Sequence, residues 1–140
     1  MTARIVLAAV LVVVAAIVAW TLDRRRRPAA PSQSRVTIPQ QLDRNDFPRP
    51  DASWLVVLWS SETCVSCQGL FEKLTPLASD EVAVVDVEFS RHRELHKRYA
   101  IDAAPVTVIA DLDGVTRASF TGAFNAPEVW STLAELRAGA

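Results

Sequence analysis

Residues 54–67, WLVVLWSSETCVSC, decide how this chain is read. The run from Trp54 to Trp59 is aliphatic, β-branched and aromatic with no polar member, which predicts a strand covered on both faces. It leads straight to Cys64 and Cys67, the only two cysteines among 140 residues. Two cysteines placed at random in this length would fall at that spacing about once in seventy placements, so chance explains the pair poorly. A chain this long can bury a core and has at most one bridge available, so the pair reads as chemistry and not as a disulfide scaffold.

Beyond Cys67, Leu70, Phe71, Leu74 and Leu77 recur at helical spacing, and Pro76 kinks or ends that helix. The two cysteines are therefore expected at a strand-to-helix junction. VAVVDVEF (82–89) predicts a second strand and RHRELHKRYAI (91–101) a polar helix with Leu95, Tyr99 and Ile101 turned inward. PVTVIAD (105–111) and VTRASF (115–120) predict a hairpin across the turn from Asp111 to Gly114. Asn125 and Pro127 open a last helix whose buried stripe is Val129, Trp130, Leu133 and Leu136. The order is β-α-β-α-β-β-α, with a short edge strand at most near Val36 to Ile38, and Trp54, Trp59 and Trp130 are expected in the core.

The N-terminus has a different character. Residues 5–22 (IVLAAVLVVVAAIVAWTL), opening at Ile5 and closing at Leu22, carry no charge, and 18 helical residues at about 1.5 Å each span the hydrocarbon of a bilayer. Trp20 suits the interface, and Asp23 with Arg24 to Arg27 stops the span. A cleaved secretory signal is the competing reading, but its n-region would hold only Arg4 and no clean small-residue site precedes the arginines. The expectation is thus an anchor over residues 1–27, a proline- and serine-containing linker over 28–35 and one domain over 36–140. Four arginines after the span against one before it place that domain on the cytoplasmic side of a cell membrane, single-pass. From Pro28 onward ten Lys/Arg face fifteen Asp/Glu, and this acidic balance argues against a nucleic-acid partner.

A thiol attacks as thiolate, and a cysteine at a helix start has its anion favoured by unsatisfied N–H groups and the helix dipole. Cys64 is the expected nucleophile. Cys67, one turn on, is placed to break the mixed disulfide and release product.

From about residue 36 to the C-terminus the chain resembles the thioredoxin superfamily. The likeness rests on the strand running into Cys64-x-x-Cys67, the YAIDAAP segment ending at Pro105, the Asp113-Gly114 hairpin, and Gly122 before the last helix. It implies an α/β thioredoxin-like fold with a central mixed β-sheet flanked by helices. It also implies a cis Pro105 that, with Ala104 and Thr63, contacts substrate, a protein thiol or disulfide as partner, and no cofactor beyond the Cys64–Cys67 disulfide. Departures are equally specific: Thr63 stands where the general thioredoxins have tryptophan, Val65-Ser66 replaces Gly-Pro, Val106 replaces a threonine, and Leu58 occupies the place of a buried aspartate. Proton transfer from Cys67 then falls to Glu62, Asp86 or water. The pattern resembles membrane-tethered, thioredoxin-like proteins with a dedicated partner.

Two other classes compete. One keeps the fold as a binding module without redox turnover. The other binds metal, through zinc on Cys64, Cys67, His92 and His96, or through copper. The polar setting of RHRELHKR makes two solvated surface histidines the simpler reading, and the lone methionine gives copper nothing else soft. The sequence sets no oligomeric state.

Overall fold

Strand β1, Trp54–Ser60, is buried along its whole length and lies inside a four-stranded mixed sheet of order β2-β1-β3-β4. It runs parallel to β2 (Val82–Glu88) and antiparallel to β3 (Val106–Asp111), which pairs antiparallel with β4 (Thr116–Thr121). Successive side chains of a strand point to opposite faces. Accordingly Leu55, Val57 and Trp59 join one core cluster with Leu42, Phe47, Val87 and Ile101, while Trp54, Val56 and Leu58 join another with Leu70, Leu74, Val129 and Leu133. Both faces are covered, which is why the sequence of β1 is apolar without alternation.

The computed structural model describes Val14, which is helical, and residues 36–139. The chain divides after Arg35, and the unit beginning at Val36 is considered by itself. Apart from Val14, the expected span over residues 5–22 and the linker over 28–35 lie outside the described residues. Among the described residues no helix is long and apolar enough to cross a membrane.

Helices α1 (Leu70–Leu74) and α3 (Ala126–Ala138) cover one face of the sheet, and α2 (Arg93–Arg98), with the segment before β1, covers the other. The expected edge strand near Val36 to Ile38 is not formed. Pro39 has no N–H to give a ladder, and a single bridge from Gln41 to Val115 takes the strand's place. That segment is tied down elsewhere. The Leu42 N–H donates to the Gly114 carbonyl at 2.8 Å, and the buried Arg44 donates to the carbonyls of Asp111 and Ala52, both at 2.8 Å. Gly114 is required at the hairpin, because it has φ +80° and a Cβ there would sit 1.9 Å from the Leu42 carbonyl oxygen.

Three expectations are corrected. The helix after the cysteines is broken: a 3-10 turn Val65–Cys67 is followed by extended Gln68 and by Gly69 at φ 70°, so α1 starts only at Leu70 and gives way to a 3-10 turn holding Pro76. Trp130 is 39% exposed, because its ring lies at the margin of the apolar stripe where its indole N–H can reach the Lys73 carbonyl at 3.0 Å. His96 is only 4% exposed and so is no surface histidine, whereas His92 is exposed.

Candidate active site at the Cys64–Cys67 disulfide

Where β1 ends, the chain turns out of the sheet. The Cys64 N–H donates to the Ser61 carbonyl at 3.0 Å, and the Cys67 N–H returns to the Cys64 carbonyl at 3.1 Å. This turn brings the two Cα atoms to 5.3 Å, and the sulfurs form a disulfide. Both cysteines are half-buried. Cys64 caps one 3-10 turn and not a long α-helix, so the full helix dipole expected from the sequence does not act on it. What does act locally are the first N–H groups of that turn, which have no partner inside it.

The Ala104–Pro105 peptide is cis, and the Pro105 carbonyl accepts from the Gly122 N–H at 2.8 Å. Thr63, Cys64 and Ala104 line one cavity of about 330 Å³ with Phe89, His96 and Ile101. Of the residues expected to contact substrate, Thr63 and Ala104 therefore share a space with Cys64, while Pro105 is buried and is not part of the lining. Cys67 does not border this space. It borders a second cavity of about 180 Å³, shared with Cys64, Glu62, Asp86, Glu88 and Phe71.

Sequence reasoning passed over Glu88, Phe89 and Ser60. Glu88 is buried at the end of β2, and its carboxylate accepts from the Ser90 hydroxyl, the Ser90 N–H at 2.9 Å, the Arg91 N–H at 3.1 Å and the Glu62 N–H at 3.2 Å. The Ser90 hydroxyl first, and then these backbone donors, hold its carboxyl down to about 2. The carboxylate thereby fixes the backbone just before the cysteines. The one side-chain signal for it is Ser90, whose hydroxyl reaches the carboxylate; the other three donors are backbone N–H groups, which leave no mark in the sequence. The Phe89 ring is 44% exposed, with the His96 ring edge-on at 5.2 Å and the Arg93 guanidinium 5.5 Å from its centroid. An aromatic one residue past a strand has no sequence signal separating it from core. The Ser60 hydroxyl donates to Asp86 Oδ1 at 2.6 Å.

The metal set of Cys64, Cys67, His92 and His96 is not brought together. His96 Nε2 lies 2.9 Å from the Val87 carbonyl and Nδ1 3.4 Å from that of Ile101, so both ring nitrogens face backbone. Among the described residues no group of three or more His, Cys, Asp or Glu side chains is placed to hold a metal ion.

Solved thioredoxins share this architecture. The Fasciola hepatica thioredoxin is 26% identical over 60% of this chain and 81% of its own, with a TM-score of 0.51. Deadhead, the germline-specific thioredoxin of Drosophila melanogaster, is 23% identical over 62% of this chain and 84% of its own, with a TM-score of 0.53. A mutant thioredoxin from Halobacterium salinarum is 19% identical over 59% and 73%, at 0.51. No family model and no curated protein matches the chain. The fold is that of the thioredoxin superfamily, and it carries a Cys-x-x-Cys disulfide where β1 leaves the sheet.

Proposed function

We propose that the chain is a membrane-tethered thiol–disulfide oxidoreductase that acts on a protein partner through Cys64 and Cys67. The observation that carries this reading is the disulfide itself, half-buried at the mouth of a groove that Thr63 and Ala104 of the cis-Pro105 loop also line. The Cys64 thiolate attacks a substrate disulfide and forms a mixed disulfide with it. Cys67 then attacks the Cys64 sulfur, the second substrate thiolate leaves, and the intramolecular bridge closes, so two electrons pass to substrate with no cofactor. Thr63 and Ala104 hold the substrate backbone beside Cys64, and the buried cis Pro105 sets the turn that presents Ala104.

Residues 1–27 anchor the chain, 28–35 tether it and 36–140 act. The arginines at 24–27 favour the cytoplasmic side, where thiols are kept reduced and the pair works as a reductase. The test is Cys67→Ser in the full-length chain: lacking the resolving sulfur, it accumulates mixed disulfides that name the partner. An empty trap from a folded, inserted variant contradicts redox turnover and favours the binding module. A membrane-impermeant thiol reagent tests orientation: under denaturing but intact-membrane conditions it labels neither cysteine, and labelling after mild reduction would place the domain outside.

A further inference from the structure

Resolution of the mixed disulfide requires Cys67 to lose a proton, and β1 offers no ionisable side chain anywhere from Trp54 to Ser60. Besides the two cysteines, the titratable groups on the cavity that Cys67 borders are Glu62, Asp86 and Glu88. Gln68 and Phe71, toward α1, add none. Glu88 is committed to four donors and is held down to about 2, which makes it a weak base. Glu62 is exposed, and among the described residues no hydrogen bond fixes its carboxylate.

Asp86 differs from both. It stands opposite Leu58 in the parallel β1–β2 pairing, hence on the sheet face that α1 covers, and it lines the same cavity as Cys67. It is half-buried, and the Ser60 hydroxyl occupies its Oδ1 while Oδ2 has no donor among the described residues. The cavity of about 180 Å³ holds several waters at ~30 Å³ each, enough for a relay between carboxylate and sulfur.

We propose that Asp86, steadied by Ser60, accepts the Cys67 proton during resolution of the mixed disulfide. In that step the Cys67 S–H proton passes to the carboxylate, and the Cys67 sulfur bonds to the Cys64 sulfur as the Cys64–substrate S–S bond breaks. The departing substrate thiolate takes a proton from Asp86 or from solvent. The proposal rests on the redox reading above and specifies its second half.

The test uses the full-length reduced chain in detergent with the chromogenic aromatic disulfide dithiobis(nitrobenzoate). One nitrothiobenzoate is released when Cys64 attacks, and a second when Cys67 resolves. Asp86→Asn is expected to slow the second phase ~10- to 100-fold at neutral pH and leave the first phase unchanged, the usual scale of a positioned proton acceptor. The deficit is expected to vanish above about pH 8.5, where a thiol ionises unaided. Glu62→Gln is expected to leave both phases as they are. A normal second phase in Asp86→Asn, a deficit equal at every pH, or a loss that follows Glu62→Gln instead overturns the proposal. Absence of a second phase in wild type would instead overturn the redox reading. Ser60→Ala covers the case in which Asp86→Asn does not fold: with the hydroxyl that steadies the carboxylate removed, the second phase alone is expected to slow at neutral pH, and an unchanged second phase contradicts the assignment.

Discussion

The disulfide separates two unlike spaces. One cavity, bordered by Cys64 alone of the two cysteines, is walled by Phe89, Ile101, Asp102 and Ala104, whereas a smaller one, bordered by both cysteines, gathers Glu62, Asp86 and Glu88. The first holds the exposed Phe89 ring and the loop before Pro105, and the second holds three carboxylates. The division follows from the fold, because Asp86 and Glu88 pair with Leu58 and Ser60 and so share the sheet face that α1 covers, whereas α2 and Ile101 pack on the opposite face. On the proposed reading, a symmetrical pair of sulfurs thereby acquires two different roles from its surroundings.

The sharpest way to break this comparison is to remove one sulfur at a time. Cys64→Ser is expected to abolish reduction of a protein disulfide and to trap nothing, whereas Cys67→Ser loses turnover and still forms the mixed disulfide. Equal trapping by both variants would mean the two sides are interchangeable. Leu58→Ala comes next. Leu58 is 1% exposed between β1 and the core beneath α1, so truncation is expected to cost about 2–5 kcal/mol by denaturant titration, since a cavity stays behind. Phe89→Ala, by contrast, is expected to change stability by less than about 1 kcal/mol, because the ring is 44% exposed. It should raise KM for a protein substrate about tenfold with little change in kcat. A fall in kcat alone would put Phe89 outside the contact side.

The smallest effect concerns the charged side. The Glu88 carboxyl is held at about 2 against an ordinary value of 4.5, so its contribution to stability is complete above 4.5 and is lost as pH falls toward 2. Thermal melts of wild type should therefore decline across that window, and those of Glu88→Gln should start lower at neutral pH and decline less. Parallel curves would show that the carboxylate does not hold the backbone before the cysteines.

Much of this was legible in the sequence where the pattern was long or rigid. The apolar run of β1, the cysteine spacing and the Asp111 to Gly114 turn each report local physics and were read correctly. His96 was misread because all six of its neighbours in RHRELHKR other than Leu95 are polar or charged, and composition averages over a helix. Its burial depends on two carbonyls from Val87 and Ile101, a long-range fact. The break at Gly69 was missed because a smooth apolar period from Leu70 to Leu77 masks a left-handed residue at its start. Asp86 is one of three candidates in the sequence, and it is separated from Glu62 by strand register, partial burial and the Ser60 hydrogen bond, all long-range facts.

Alkylation by iodoacetamide as a function of pH, followed at each cysteine of the reduced full-length chain by mass spectrometry, tests the division of roles most directly. The account predicts that Cys64 reacts first and at a pH below that of an ordinary thiol, with Cys67 slow until higher pH. Faster reaction at Cys67, or one common profile for both, would contradict it.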